Sequence, residues 1–220
     1  MTSREFRDRV IKRGKKADVQ LTAPVLEQLE AYYRLLERWN DKINLTALPL
    51  KVLTDQAVDR LLIEPLAAAR YVPEGAITWF DLGSGGGSPA LPLKMVRRAA
   101  RLAMVESKTK KAAFLREAAR TLGLPNVTVE AVRFEDFAEH RGNSATAQLV
   151  TVRAVKLNKA FFDVARSLLA TDGSLLLFSS YETAAKAPPG FEVSQVVRLS
   201  PSARNIGSIP SSQLVILRRT

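Results

Sequence analysis

The stretch DLGSGGGS, residues 81–88, gathers the residue types most able to do chemistry in this chain. Glycine gives up more backbone entropy on folding than any other residue, so a run at 83 and 85–87 needs a reason. A phosphate-cradling P-loop does not fit. Counted from Gly83 or Gly85, its second glycine falls on Ser88 or Ala90, and no Lys-Ser/Thr follows. A dinucleotide fingerprint begun at Gly83 fails at Ser88. The spacing that fits is D-x-G-x-G-x-G, formed by Asp81, Gly83, Gly85 and Gly87. A carboxylate beside the turn repels a pyrophosphate and welcomes an ammonium. That favours a cofactor with an amino-acid end and no phosphate, and S-adenosyl-L-methionine (AdoMet) has that composition. The competing reading is a tight strand-to-helix turn with glycines for close packing. Gly86 has no role in this spacing.

Glu106 stands a little over twenty residues beyond the loop, at the end of the next apolar run. A carboxylate there can accept both hydroxyls of a ribose, from AdoMet or from NAD alike. Phe134 and Glu135, within Arg133-Phe134-Glu135, could meet an adenine face and its exocyclic amine, or form a surface turn. Arg153 closes a later apolar run, beside the expected position of methyl transfer. A lone arginine at a strand end is usually an ion-pair partner. Facing a cofactor cleft in a basic protein, it can also contact a phosphate or base. Arg153→Ala is expected to spare folding and reduce turnover. His140, within the polar EHRGN, reads as a surface residue.

Missing residues narrow the reaction. The chain has no cysteine, so thiolate metal sites and cysteine nucleophiles are excluded, and with them the usual route to pyrimidine C5 methylation. Exocyclic-amine methylation usually shows an Asn/Asp-Pro-Pro-Tyr/Phe turn, where this chain reads TVRAVKLN. A ring nitrogen such as guanine N7 carries a lone pair and no proton. Its methylation needs no general base, and positioning with electrostatics can carry it.

These residues need elements to hold them. Residues 1–16 read as a basic helix. Thr22 and Pro24 open a second helix, with Leu26, Leu29, Tyr33 and Leu36 at helical spacing. A further helix is expected from Leu50 to about Arg70, then a breaker at 72–75. Beyond it strands alternate with helices. Strands are expected at 77–82, 102–106, 127–131, 148–154 and 173–178, with helices at 89–99, 110–122 and 158–170. Residues 191–199 and 213–218 form an expected antiparallel pair. The pattern predicts an α/β fold with a mostly parallel, doubly wound Rossmann-like sheet, a C-terminal antiparallel hairpin and an N-terminal helical extension. Ligands on such sheets sit outside the carboxyl ends of the strands. The expected division is 1–72 for the substrate-facing helical part and 73–220 for the catalytic part.

With 220 residues and 46% hydrophobic content, one full-size core is expected. The formal net charge is +11, clustered at 7–16, 94–101 and 108–120, and no acid follows Glu192. A polyanionic partner is the simplest reading, and a solvated basic surface the bland one. The charged N-terminal stretch lacks the apolar run of a signal peptide, and no segment approaches a membrane span, so a soluble cytoplasmic protein is expected.

Together the motifs resemble the small-subunit ribosomal RNA methyltransferase G family, also called RsmG or GidB, over roughly residues 20–180. WNDKINLTAL at 39–48 is similar to its WN-x-x-x-NLT segment, and DLGSGGGSPALPLK at 81–94 to its glycine loop. VESKTKKAAFLREAARTLGLPNV at 105–127, RFE at 133–135 and TVRAV at 151–155 match further blocks in order. The resemblance implies a class I AdoMet-dependent methyltransferase acting on N7 of a guanine in 16S rRNA. By position, it implies that Gly83, Gly85, Gly87 and Ser88 line the methionine and ribose side. Glu106 would hold the ribose, and Phe134 and Glu135 would border the adenine. Arg153 would sit where cofactor and target meet, with Asn44, Thr46 and Arg60 on the target side. It implies ribosomal RNA or the small subunit as partner; no metal, no membrane and a monomer are expected beside it. The chain departs from the family's R-H-x-x-D-S-L, reading Arg60-Leu61-Leu62-Ile63-Glu64-Pro65-Leu66. It also departs at Ser88-Pro89-Ala90 and at FSSYE, 178–182. An AdoMet enzyme with another RNA or a small-molecule substrate, and a non-catalytic RNA-binding factor, are the alternatives.

Overall fold

Alternation along the strands decides the architecture. The computed structural model describes residues 1–140, 145–179, 187–199 and 212–220. The strands are β1 (Thr78–Leu82), β2 (Arg101–Val105), β3 (Val127–Glu130), β4 (Ala147–Arg153), β5 (Leu169–Ser179), β6 (Phe191–Arg198) and β7 (Gln213–Arg219). They form one sheet in the order β3-β2-β1-β4-β5-β7-β6. β1 to β5 run parallel, and β7 pairs antiparallel with both β5 and β6. This is the expected sheet, with β7 inserted between β5 and the edge strand β6.

Period-two alternation gives the sheet two apolar faces. Trp79, Leu102, Met104, Leu149 and Leu176 face one core, while Phe80, Leu82, Val105, Val150 and Leu177 face the other. The first core is closed by α1 (Ser3–Lys16), α2 (Ala23–Asn40), α3 (Asp55–Val58), α4 (Glu64–Ala68), α5 (Ala90–Val96) and α6 (Thr109–Thr121). The second is closed by α7 (Phe134–His140) and α8 (Lys159–Leu168). The N-terminal helices thus share a core with one face of the sheet. The stripe Leu26, Leu29, Tyr33 and Leu36 is buried, as its spacing requires. Thr22 precedes α2 without making a side-chain cap bond, whereas Thr2 and Glu5 form a reciprocal capping box on α1.

Two elements differ from expectation. The helix expected from Leu50 begins at Asp55, capped by Thr54, and between Val58 and Glu64 it widens into a π-turn over Asp59–Ile63. Pro65 is the physical cause: it has no N–H to return to the preceding turn, and its ring crowds the carbonyl four residues back. The Glu64 amide then reaches Asp59 rather than Arg60. The carbonyls of Arg60 and Leu61 are left to find other donors. The second difference is α7, whose seven residues are too few for a periodic signal, although Phe137 and Ala138 are buried. His140 at its end is exposed. Of FSSYE, residues 180–182 lie outside the described residues, as do 141–143 of EHRGN. Among the described residues no helix is long and apolar enough to cross a membrane.

Candidate cofactor and substrate cleft

The sheet order reverses between β1 and β4, and a cavity of about 940 Å³ opens outside the carboxyl ends of β1, β2 and β4. One end is lined by Gly83–Gly86, Glu106, Val132–Glu135 and Val155. The other is built by the helical part, through Leu45–Leu48, Asp55, Asp59, Arg60 and Glu64. Of the residues singled out from the sequence, Gly83, Gly85, Ser88, Glu106, Phe134, Glu135, Arg153, Thr46 and Arg60 share this wall. Asp81 and Gly87 lie behind the loop, and Asn44 is exposed outside the cleft.

All three spaced glycines, Gly83, Gly85 and Gly87, take positive φ. A Cβ on Gly85 would meet only the Gly83 carbonyl, at 3.7 Å, and would otherwise stand in open space. Its amide donates to Glu106 Oε2 at 2.9 Å, while Oε1 accepts from the Lys108 amide at 2.8 Å. Glu106 therefore fixes the loop, and each oxygen keeps a lone pair for a ligand hydroxyl. Gly86, which the motif spacing left without a role, now has one. Its carbonyl accepts from Tyr32 Oη at 2.6 Å, and a Cβ would press on Leu36 and the Leu45 carbonyl, each at 3.3 Å. It lets α2 lie against the loop.

Asp81 is 1% exposed. Its Oδ1 accepts from Thr151, which accepts in turn from Trp79 Nε1 at 2.8 Å, while Oδ2 has no partner among the described residues. Burial pushes its carboxyl up to about 6 from 3.8, opposed by the hydroxyls of Thr151 and Ser84 and by the Arg153 charge. The folded chain thus binds this proton more tightly than the unfolded one. Stability falls as pH rises from about 4 to about 6 and is level above that. At neutral pH the charged form costs on the order of 2–3 kcal/mol. Asp81→Asn is expected to melt higher than the parent at about pH 7.5, with the gain gone near pH 4. Equal melting temperatures at both values would contradict this.

Arg153 is held from several directions. Nη2 donates to Glu64 Oε2 at 3.1 Å, Nη1 donates to Ser88 Oγ at 3.1 Å and to the Arg60 carbonyl, and the guanidinium lies 4.8 Å from the Phe178 ring centroid. Ser88 Oγ donates to the Leu61 carbonyl at 3.0 Å. The two carbonyls released around the π-turn are therefore taken up by Arg153 and Ser88. Burial pulls the guanidinium down to about 10, with Glu64 the main opposing influence, so it stays charged at neutral pH. Glu64, 1% exposed, was missed as a site residue. An acid four residues after Arg60, ahead of a helix-disrupting proline, was the available signal. Arg60 reaches it at 3.9 Å and also donates to Ser212 Oγ at 2.9 Å.

Several motif residues also make structural contacts. Trp39 packs edge-on to Phe114, with ring centroids 5.9 Å apart. Asn40 Oδ1 accepts from the Leu45 and Thr46 amides, both at 2.9 Å, and so shapes the cleft wall at Thr46. Buried Lys94 donates to the carbonyls of Arg98 and Ala100 past the end of α5. Phe134 stacks edge-on to Phe161 at 5.9 Å, and Glu135 pairs with Arg133 at 3.4 Å.

Comparison with known proteins gives a consistent answer. Residues 25–199 match the family described as rRNA small subunit methyltransferase G. The protein of that name from Halorhodospira halophila is 39% identical over 158 residues, covering 72% of this chain and 71% of the relative. Its namesake from Chromobacterium violaceum is 33% identical, covering 81% and 83%, and one from Xylella fastidiosa is 37% identical, covering 83% and 87%. Among solved structures, MtNAS in complex with MTA and tNA superposes with a TM-score of 0.56 at 16% identity, covering 89% of this chain and 72% of that one. A SAM-dependent methyltransferase from Aquifex aeolicus gives 0.55 at 15% identity, covering 76% and 94%. At such identities the structures establish the class I methyltransferase fold.

Proposed function

The chain belongs to the rRNA small subunit methyltransferase G family, and on that premise we infer that it is an AdoMet-dependent enzyme methylating N7 of a guanine in 16S ribosomal RNA. The observation that carries this reading is one cleft with a glycine-walled end and a second end built by helices. AdoMet fits the first end on two counts: open space where a Cβ on Gly85 would stand, and a buried, unpartnered oxygen on Asp81 behind the loop. When bound it supplies an electrophilic methyl on a sulfonium.

The residues would act as follows. Glu106 accepts the ribose hydroxyls while keeping its hold on the Gly85 amide. Phe134 and Glu135 border the adenine. Gly83, Gly85 and Ser88 leave room for the methionine side, with Gly87 shaping the turn from behind. Asp81 favours the ammonium through the loop, so Asp81→Asn is also expected to weaken AdoMet. On the target side Thr46, Arg60 and Arg153 face the base, with Asn44 outside on the approach. The N7 lone pair is the nucleophile and no proton moves. The ring becomes cationic, and because Glu64 balances Arg153, that guanidinium can donate to the neighbouring base oxygen without adding net charge. With this reading go a cytoplasmic monomer, a substrate-facing part at 1–72 and a transferase part at 73–220.

Mass mapping of 16S rRNA from a deletion strain is expected to lack one guanine methyl, restored by the gene in trans. Labelled methyl from AdoMet should enter purified small subunits and not total tRNA. An unchanged map, or label in tRNA alone, refutes the substrate.

A further inference from the structure

Helix α1 lies outside the residues 25–199 matched to the family, so its use has to be read from this chain. Its inner face is committed to the fold: Phe6 and Val10 are fully buried, and Arg13 is 4% exposed. Arg13 Nε donates to Asp59 at 2.7 Å and Nη1 to Asp55 at 3.1 Å, and both acids line the cleft. The helix is thus one side chain removed from the cleft wall. Arg9, Lys12 and Lys16, spaced by three and four, form one stripe along its flank, widened by Lys15. Arg9, in that stripe, reaches the Leu53 carbonyl and pairs with Asp55 at 3.7 Å, which puts the stripe on the side toward the cleft. Lys12, Lys15 and Lys16 are exposed and pair with no carboxylate among the described residues. On the opposite flank, Arg7 is answered by Glu30 at 3.3 Å. Among the described residues, the cations of this helix without a carboxylate partner are therefore Lys12, Lys15 and Lys16, with Lys12 and Lys16 in the stripe that Arg9 joins to Asp55.

We propose that Lys12, Lys15 and Lys16 form a phosphate-binding strip that holds the ribosomal RNA backbone beside the cleft while the target base enters it. This rests on the rRNA reading above. An anionic membrane is the less fitting partner, because an interfacial helix needs an apolar face to insert, and Phe6 and Val10 are already spent in the core. RNA asks only for charge.

The test is the triple variant Lys12→Gln/Lys15→Gln/Lys16→Gln, which touches only exposed side chains. Binding to a 16S rRNA fragment is measured between low and moderate salt. The parent's log Kd against log salt should exceed the variant's in slope by about 2 to 3, at roughly 0.7–0.9 per phosphate. The variant's KM for small subunits should rise at least about ten-fold, with AdoMet affinity and melting temperature unchanged. Arg101→Gln, at the amino end of β2 and so on the far rim of the sheet, controls for bulk charge and should leave both readouts unmoved. A variant slope equal to the parent's, or matched by Arg101→Gln, overturns the proposal. So does loss of binding to phosphatidylglycerol vesicles with RNA affinity intact. A parent that binds no rRNA at all refutes the substrate reading itself.

Discussion

Gly85→Val is expected to raise the AdoMet dissociation constant at least about 100-fold, about 2.7 kcal/mol, while the protein stays folded. The new side chain has nowhere to go but the cleft, since a Cβ at Gly85 meets nothing except the Gly83 carbonyl, at 3.7 Å. Backbone strain must be separated from filling. Gly85 has φ +51, where a β-branched residue is costly by about 1–3 kcal/mol. Gly123, at the end of α6, offers a matched control, with φ +58 and open space around its Cβ position, and it lies off the cleft wall. Gly123→Val should lose a comparable amount of stability and bind AdoMet normally. Calorimetric titration of both variants, beside thermal melts, makes the comparison. Normal AdoMet binding by a folded Gly85→Val would remove the glycine loop from the cofactor site.

Arg153→Ala is expected to lower both stability and turnover, in contrast to the sequence-based expectation that it spares folding. Removing the guanidinium leaves Glu64, 1% exposed, without its closest partner, since Arg60 stands at 3.9 Å against 3.1 Å for Arg153. It also strips a donor from the Arg60 carbonyl, already freed by the π-turn. Breaking a buried pair from one side costs about 3–5 kcal/mol, which for a chain of this size lowers the melting temperature on the order of 10 °C. Glu64→Gln/Arg153→Met removes both charges together and should regain most of that loss. If Arg153 contacts the target, the double variant still methylates small subunits at least about 100-fold more slowly under single-turnover conditions. Full turnover in a stable double variant would assign Arg153 to architecture alone.

The spacing of Asp81, Gly83, Gly85 and Gly87 was sufficient to set aside phosphate loops, because glycine positions report backbone conformation directly. All three glycines do take positive φ. Short apolar runs and breakers were likewise enough for the strands, and the central strands β1, β2, β4 and β5 are buried on both faces by different layers. Short-range information failed where the cause was distant. Gly86 is required by Tyr32 and Leu36, some fifty residues earlier. The helix α7 is held by packing rather than by a periodic pattern of its own. Asn40 and Thr46 meet through a turn that the sequence marks only as polar.

The central case is the stretch from Arg60 to Pro65. As sequence it is a set of departures from the family pattern, pointing to a changed substrate side. In three dimensions Pro65 opens a π-turn, and the two carbonyls left over are bonded by Ser88 and Arg153, the former itself one of the departures. The sequence by itself determined the alternation of strands and helices and the positions of the spaced glycines and of Glu106 at strand ends, because backbone sterics and apolar runs are local. Only the tertiary structure decided that Glu64 is Arg153's counter-ion and that Pro65 and Ser88 belong together. Orphaned backbone acceptors and buried charges must be satisfied by whatever the fold brings near.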